Sequence, residues 1–173
     1  MKKIIILMTL IYGFAFTQED NNQDYISNLA GPRIGFTILP NETFNNAKDV
    51  FDGMTYPIVS QFGWQFETTY FADEGVQGLA EFAFLVGGVD QNAFLPSITA
   101  MIGMRFARSE FEFALGPNLS FTGMALALAV GKNYKVGNLN FPVSFVLVPS
   151  TDGSRISMLV GFLGASNYRK NKE

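Results

Sequence analysis

The sequence contains no cysteine and no histidine. Without cysteine there can be no disulfides, thiolate metal sites, cysteine nucleophiles or lipid-modified cysteine anchor. Without histidine there are no imidazole bases, no His-ligated zinc or haem, and no Ser-His-Asp triad. Charge is scarce too: 16% of the 173 residues, where ~25% is usual. The net charge of −3 gives no nucleic-acid signature. No phosphate-binding loop or dinucleotide fingerprint is present, so no cofactor is expected. No segment has a convincing helical period, and lysine is missing from the centre of every predicted strand. Lys48, Lys132, Lys135, Lys170 and Lys172 read as loop, strand-end or tail residues.

What is there begins with a leader. Lys2 and Lys3 form a charged start, Ile4 to Phe16 an apolar run, and Ala15 and Thr17 a small-residue cleavage site before Gln18. The apolar run is too short for a spanning helix, which needs ~20 residues. Residues 1–17 thus read as a signal peptide and 18–29 as a polar N-terminal segment. A barrel over 30–164 and a polar tail over 165–173 complete the expected organisation.

Alternation of period two dominates the remainder, with turn residues at regular intervals. Eight strands are predicted: Ala30–Leu39, Ile58–Ala72, Gly78–Gly87, Phe94–Ala107, Glu110–Leu119, Met124–Tyr134, Leu139–Pro149 and Ser154–Gly164. Asp73-Glu74-Gly75, Arg108-Ser109, Lys135-Val136-Gly137-Asn138 and Thr151-Asp152-Gly153 have turn chemistry. Asn41 to Pro57 is the one long connection. Short links between consecutive strands imply an antiparallel up-and-down sheet, which loses its edges by closing into a barrel.

Side-chain type indicates which face is inside. Ile58, Phe62, Trp64, Phe66 and Tyr70 share one face of the second strand, while Gln61, Gly63, Gln65 and Glu67 share the other. Phe111, Phe113, Leu115, Pro117 and Leu119 oppose Glu112, Ala114, Gly116 and Asn118. Met124, Leu126, Leu128 and Val130 oppose Ala125, Ala127, Ala129 and Gly131. An eight-stranded interior is just wide enough for side chains. Eight rows of Phe and Leu would overfill it; Gly, Ala, Ser and Asn suit it. The bulky face therefore points outward, to lipid, and the smaller, more polar face lines the lumen. Tyr70, Phe71, Phe106, Phe111, Tyr134 and Phe141 gather at one set of strand ends, and Tyr56, Phe94 and Phe121 at the other, as aromatic girdles do.

These features together resemble the small eight-stranded outer-membrane barrels of Gram-negative bacteria, of the outer-membrane protein A and X type. The resemblance spans roughly Ala30 to Gly164 and rests on leader, strand count and inverted alternation rather than on a motif. It implies an all-β, eight-stranded, antiparallel transmembrane barrel in the outer membrane, with both termini periplasmic and Asn41–Pro57 extracellular. It also implies the lipid bilayer and the outer-membrane assembly machinery as partners. Many such barrels end on an aromatic residue; here Phe162 and Tyr168 precede a basic tail. On that orientation Arg33, Glu67, Glu81, Arg105, Glu110 and Glu112 fall in the periplasmic half of the lumen. Buried charges must pair, and planar Arg pairs carboxylates well, so these six read as a structural ion-pair network. Arg155 is expected at the opposite mouth, near Asp152.

The functional expectation is a monomeric, non-enzymatic barrel with a packed polar lumen, serving a structural or surface-contact role or as a very narrow conduit. The rivals are a soluble periplasmic lipocalin-like barrel that binds a hydrophobic ligand, and a membrane-embedded lipid-modifying enzyme. No metal site is expected, and the extracellular partner is undefined.

Overall fold

The computed structural model describes residues 28–73, 75–150 and 153–165. The leader, residues 18–27 and the tail beyond Ala165 lie outside them, as do Glu74, Thr151 and Asp152. The strands are β1 (Asn28–Ile38), β2 (Ile58–Asp73), β3 (Val76–Gly87), β4 (Leu95–Phe106), β5 (Phe111–Ser120), β6 (Gly123–Val136), β7 (Leu139–Val148), β8 (Arg155–Gly161) and β9 (Leu163–Ala165). Each strand from β1 to β7 pairs antiparallel with its successor, and β1 pairs also with β8 and β9, so the sheet closes. Most boundaries fall within two residues of the alternation. Asn28 and Leu29, expected in the N-terminal segment, belong to β1.

The eighth crossing is written as two strands for a definite reason. The register of β8 and β9 on β1 and β7 is continuous, and the interruption falls at Phe162. Opposite that interruption stand Pro32 in β1 and Pro142 in β7, neither of which has an N–H to donate. The Pro32 carbonyl still accepts from the Phe162 N–H at 3.0 Å. The Pro142 ring is fully buried and occupies the space over Gly161, where an added Cβ would lie 2.8 Å from its Cγ. Outside, the rings of Phe141 and Phe162 meet edge to face with centroids 5.6 Å apart.

One end of the barrel, here the turn side, carries Asn28 and Ala165, the first and last described residues, and the short links β2–β3, β4–β5 and β6–β7. The other, the loop side, carries residues 39–57, 88–94, 121–122, 149–150 and 153–154. The long connection is not simply a loop: Asn41–Val50 form a helix, α1. Its apolar stripe is short (Thr43, Phe44 and Ala47), and three asparagines weaken its helical propensity, so its periodicity is slight. Packing supplies the rest. Ala47 and Met54 are buried against Leu39, Val59, Ala93 and Leu95, with Phe44 and Phe51 beside them, so α1 caps the loop-side mouth.

The wall is apolar outside along its whole circumference. Ile102 is 63% exposed, Phe145 52% and Phe66 51%, and Ile34, Phe82, Phe113, Leu126 and Ile156 are exposed likewise. A bulge between Thr69 and Phe71 turns both Tyr70 and Phe71 outward. Lys132 lies within β6 rather than at a strand end. It is level with Phe111, the first residue of β5, and its ammonium sits 5.5 Å from the Tyr134 ring centroid. The charge is thus held at the turn-side rim, where a long side chain can place it in water.

Inside, the curvature is tight enough to require glycine. A Cβ at Gly116 would come within 2.0 Å of the Ala100 carbonyl oxygen, and one at Gly63 within 1.9 Å of that of Phe84. Small residues on this face therefore follow from barrel closure itself.

Candidate functional site in the lumen

The turn-side half of the lumen is charged. Arg105 is 2% exposed and reaches from β4 across β3 to Glu67 on β2. One terminal nitrogen donates to Glu67 Oε2 at 2.9 Å and the other lies 2.8 Å from Oε1 as an ion-pair contact. Its Nε donates to Glu112, its direct cross-strand partner on β5, at 2.5 Å. Three strands are thereby tied by one side chain.

Arg33 is buried at the same end but behaves differently. It donates to Gln65 and, at 2.8 Å, to Ser144, and no carboxylate of the described residues stands within 4 Å of it. Gln65 in turn donates to Glu81 at 3.1 Å. Glu81 is the direct cross-strand partner of Glu67, so Arg105 holds one of two facing carboxylates and the Gln65 amide holds the other. Asn133 donates to Asn140 at 2.7 Å beside this cluster. Glu110 stands apart. It occupies the turn before β5 with φ 55° and pairs with the exposed Lys135 at 2.9 Å. It differs from Glu112 because the turn, not the strand, sets its direction.

Among the described residues, the loop-side half of the lumen is neutral apart from Arg155. That guanidinium crosses from β8 over β7 and β6 to Ser120 Oγ (2.7 Å) and Asn118 Oδ1 (3.2 Å) on β5. Asn118 donates to Thr99 at 2.8 Å, and Thr37 and Ser157 share a hydrogen bond of 2.6 Å. A cavity of about 70 Å³ runs through this half. Its floor is formed by Arg33, Glu81 and Glu112, its walls by residues such as Met101 and Leu159, and its upper end by Leu39 and Thr43 beneath α1.

The barrel is similar to a solved structure of the outer membrane protein Ail of Yersinia pestis, determined in a phospholipid bilayer nanodisc. The TM-score is 0.50 at 14% identity, and the match covers 80% of this chain and 99% of that one. The fold is that of an eight-stranded outer-membrane barrel. No protein-family model and no curated protein matches the chain.

A cap covers the loop-side mouth. The Gln91 side chain accepts from the N–H groups of Thr55 and Tyr56, at 2.8 and 3.1 Å, and donates to the carbonyls of Tyr56 and Ile58. One amide thus fastens the segment after α1 to the loop between β3 and β4. Gly53 lets the two loops approach, since a Cβ there would lie 2.3 Å from the Gln91 carbonyl oxygen. Asp90 beside it accepts from the Ser60 hydroxyl and N–H and from the Tyr56 hydroxyl. Burial alone would push the Asp90 carboxyl up, but those donors outweigh it and hold it below the usual range. The same bond pushes the Tyr56 hydroxyl up.

Sequence reasoning brought forward the charged residues and passed over Gln65, Ser144, Asn118 and Gln91. Gln65, Asn118 and Ser144 were visible as inward positions of alternating strands. Nothing in the local sequence marks Gln91.

Proposed function

We propose that the chain is a non-enzymatic, monomeric β-barrel of the outer membrane that presents the α1 cap outward and anchors through its apolar wall. The observation that carries this reading is the inversion of sides. Large apolar side chains cover the outside, whereas Arg33, Glu67, Arg105 and Glu112 are buried inside. A soluble barrel with that exterior would expose far more contiguous apolar surface than monomers tolerate. A soluble hydrophobic-ligand carrier would reverse both faces, so the lipocalin-like reading is disfavoured. The Arg105 cluster ties strands across the turn-side lumen, which favours a structural or surface-contact role over a conduit. A lipid-modifying activity has no support from the buried carboxylates, because Arg105 engages Glu67 and Glu112 and the Gln65 amide donates to Glu81.

The deciding experiment is membrane fractionation combined with mobility on a gel before and after boiling. The protein should sediment with outer membranes and shift in apparent size on heating; recovery in the soluble periplasm would overturn the reading. Leu126→Arg, outward and 48% exposed, should cost about 2–4 kcal/mol of folding stability in bilayers near the midplane. It should cost little in a soluble barrel.

A further inference from the structure

We propose that the loop-side half of the lumen is a binding site for a small free oxyanion of the phosphate or sulfate class, held by Arg155. The inference goes beyond the membrane reading, and only the choice of a free ion over a lipid headgroup rests on it.

The donors and acceptors there do not balance. Arg155 has neutral partners only, Ser120 and Asn118, and no carboxylate of the described residues lies within 4 Å of it. Asp152 is outside the described residues. The Arg155 Nε is out of contact with solvent and has no hydrogen-bond partner. The hydroxyls around it add further donors. Thr99 accepts from Asn118, which leaves its own O–H available. In the Thr37–Ser157 pair only one of the two hydroxyl hydrogens is used between them. Meanwhile the Asn118 carbonyl oxygen is already taken by Arg155. All of these residues line the one cavity. A ligand that only accepts hydrogen bonds and carries negative charge fits this surplus; a cation or a neutral amide does not.

Size and position narrow the class. A buried water needs roughly 10–15 Å³ on the measure used for such cavities. The cavity of about 70 Å³ therefore has room for a small polyatomic ion. Glu81 at the floor repels an anion, so the ion sits at the Arg155 end beneath the α1 cap. The strand wall separates that end from lipid, so a free ion rather than a lipid headgroup is the occupant.

The test uses the full mature chain refolded in a non-ionic detergent. Titration calorimetry and thermal unfolding are followed with inorganic phosphate, against chloride at matched ionic strength, and with a short-chain phosphatidic acid in parallel. Saturable phosphate binding with a raised unfolding midpoint is expected. Arg155→Met should weaken binding at least tenfold. Asn118→Asp provides a second variant that supplies Arg155 with an internal carboxylate, and it too should weaken binding at least tenfold while the barrel stays folded. No saturable binding to the wild type would mean that water alone fills the cavity, and the proposal would fall. Equal binding by wild type and Asn118→Asp, or binding of the lipid alone, would overturn it as well.

Discussion

Arg105 on the turn side is gripped by two carboxylates, whereas Arg155 on the loop side meets only a hydroxyl and an amide oxygen. Both are long cationic side chains that cross the lumen to reach strands other than their neighbours. The difference lies in what surrounds them. On the turn side opposite charges are fully enclosed, so they must be matched within the protein. On the loop side a cavity leaves the guanidinium partly unmatched, and a cap made of α1 and the Gln91 loop closes over it. One half is built as a fixed tie, the other as a covered space.

The largest effect should come from breaking the tie. Arg105→Met would strand Glu67 and Glu112 in a poorly solvated interior and should cost about 3–5 kcal/mol of folding stability. Arg155→Met leaves only neutral groups behind and should cost about 1–3 kcal/mol. Equal losses, measured by urea unfolding in bilayers, would erase the distinction between the halves. A double-mutant cycle on Arg105 and Glu112 sharpens it, because a non-additive result is expected for cross-strand partners in direct contact.

A smaller effect is expected at the cap. Gln91→Ala deprives four backbone groups of their partner. A loss of about 1–3 kcal/mol should follow, with faster proteolysis within residues 41–57 and an unchanged turn-side tie. The smallest effect is on pH. Asp90 is held below its unfolded value, so its contribution is present above that value and fades as pH falls through the folded one. Tyr56 is raised, so its contribution is present below its unfolded value and fades as pH rises through the folded one. Amide exchange in the cap should therefore be slowest between the two limits, and Asp90→Asn should remove both slopes while leaving the Arg105 tie untouched.

The wall was legible because alternation and side-chain size are local properties. Phe111 to Leu119 and Met124 to Val130 declare their outward face without any tertiary information. The Arg105–Glu112 pair was legible for a related reason: a tight turn fixes the cross-strand register. Contacts that skip strands were not. Arg33 was expected near Glu67, yet it reaches Ser144 on β7 by passing over β8, and Arg105 reaches Glu67 by passing over β3. Such reaches depend on the diameter and stagger of the closed barrel, which no single strand encodes. Helix α1 escaped because its stripe is too short to show a period and its stability comes from the mouth it covers. Glu110 misled because it alternates in phase with Glu112, although a turn residue does not obey the pleat.

The prolines beside the last crossing have a mechanical consequence. A cylinder made of strands resists circumferential tension through its rungs, and its strength is set by the weakest hoop. At the height of Phe162 the closing strand faces Pro32 on one side and, beside Gly161, Pro142 on the other, so neither neighbour donates a rung there. That hoop holds the first strand to the last. It leaves the closure, at that height, to the Phe162 N–H bond to the Pro32 carbonyl and to the Phe141–Phe162 clasp, which is the outer fastening there.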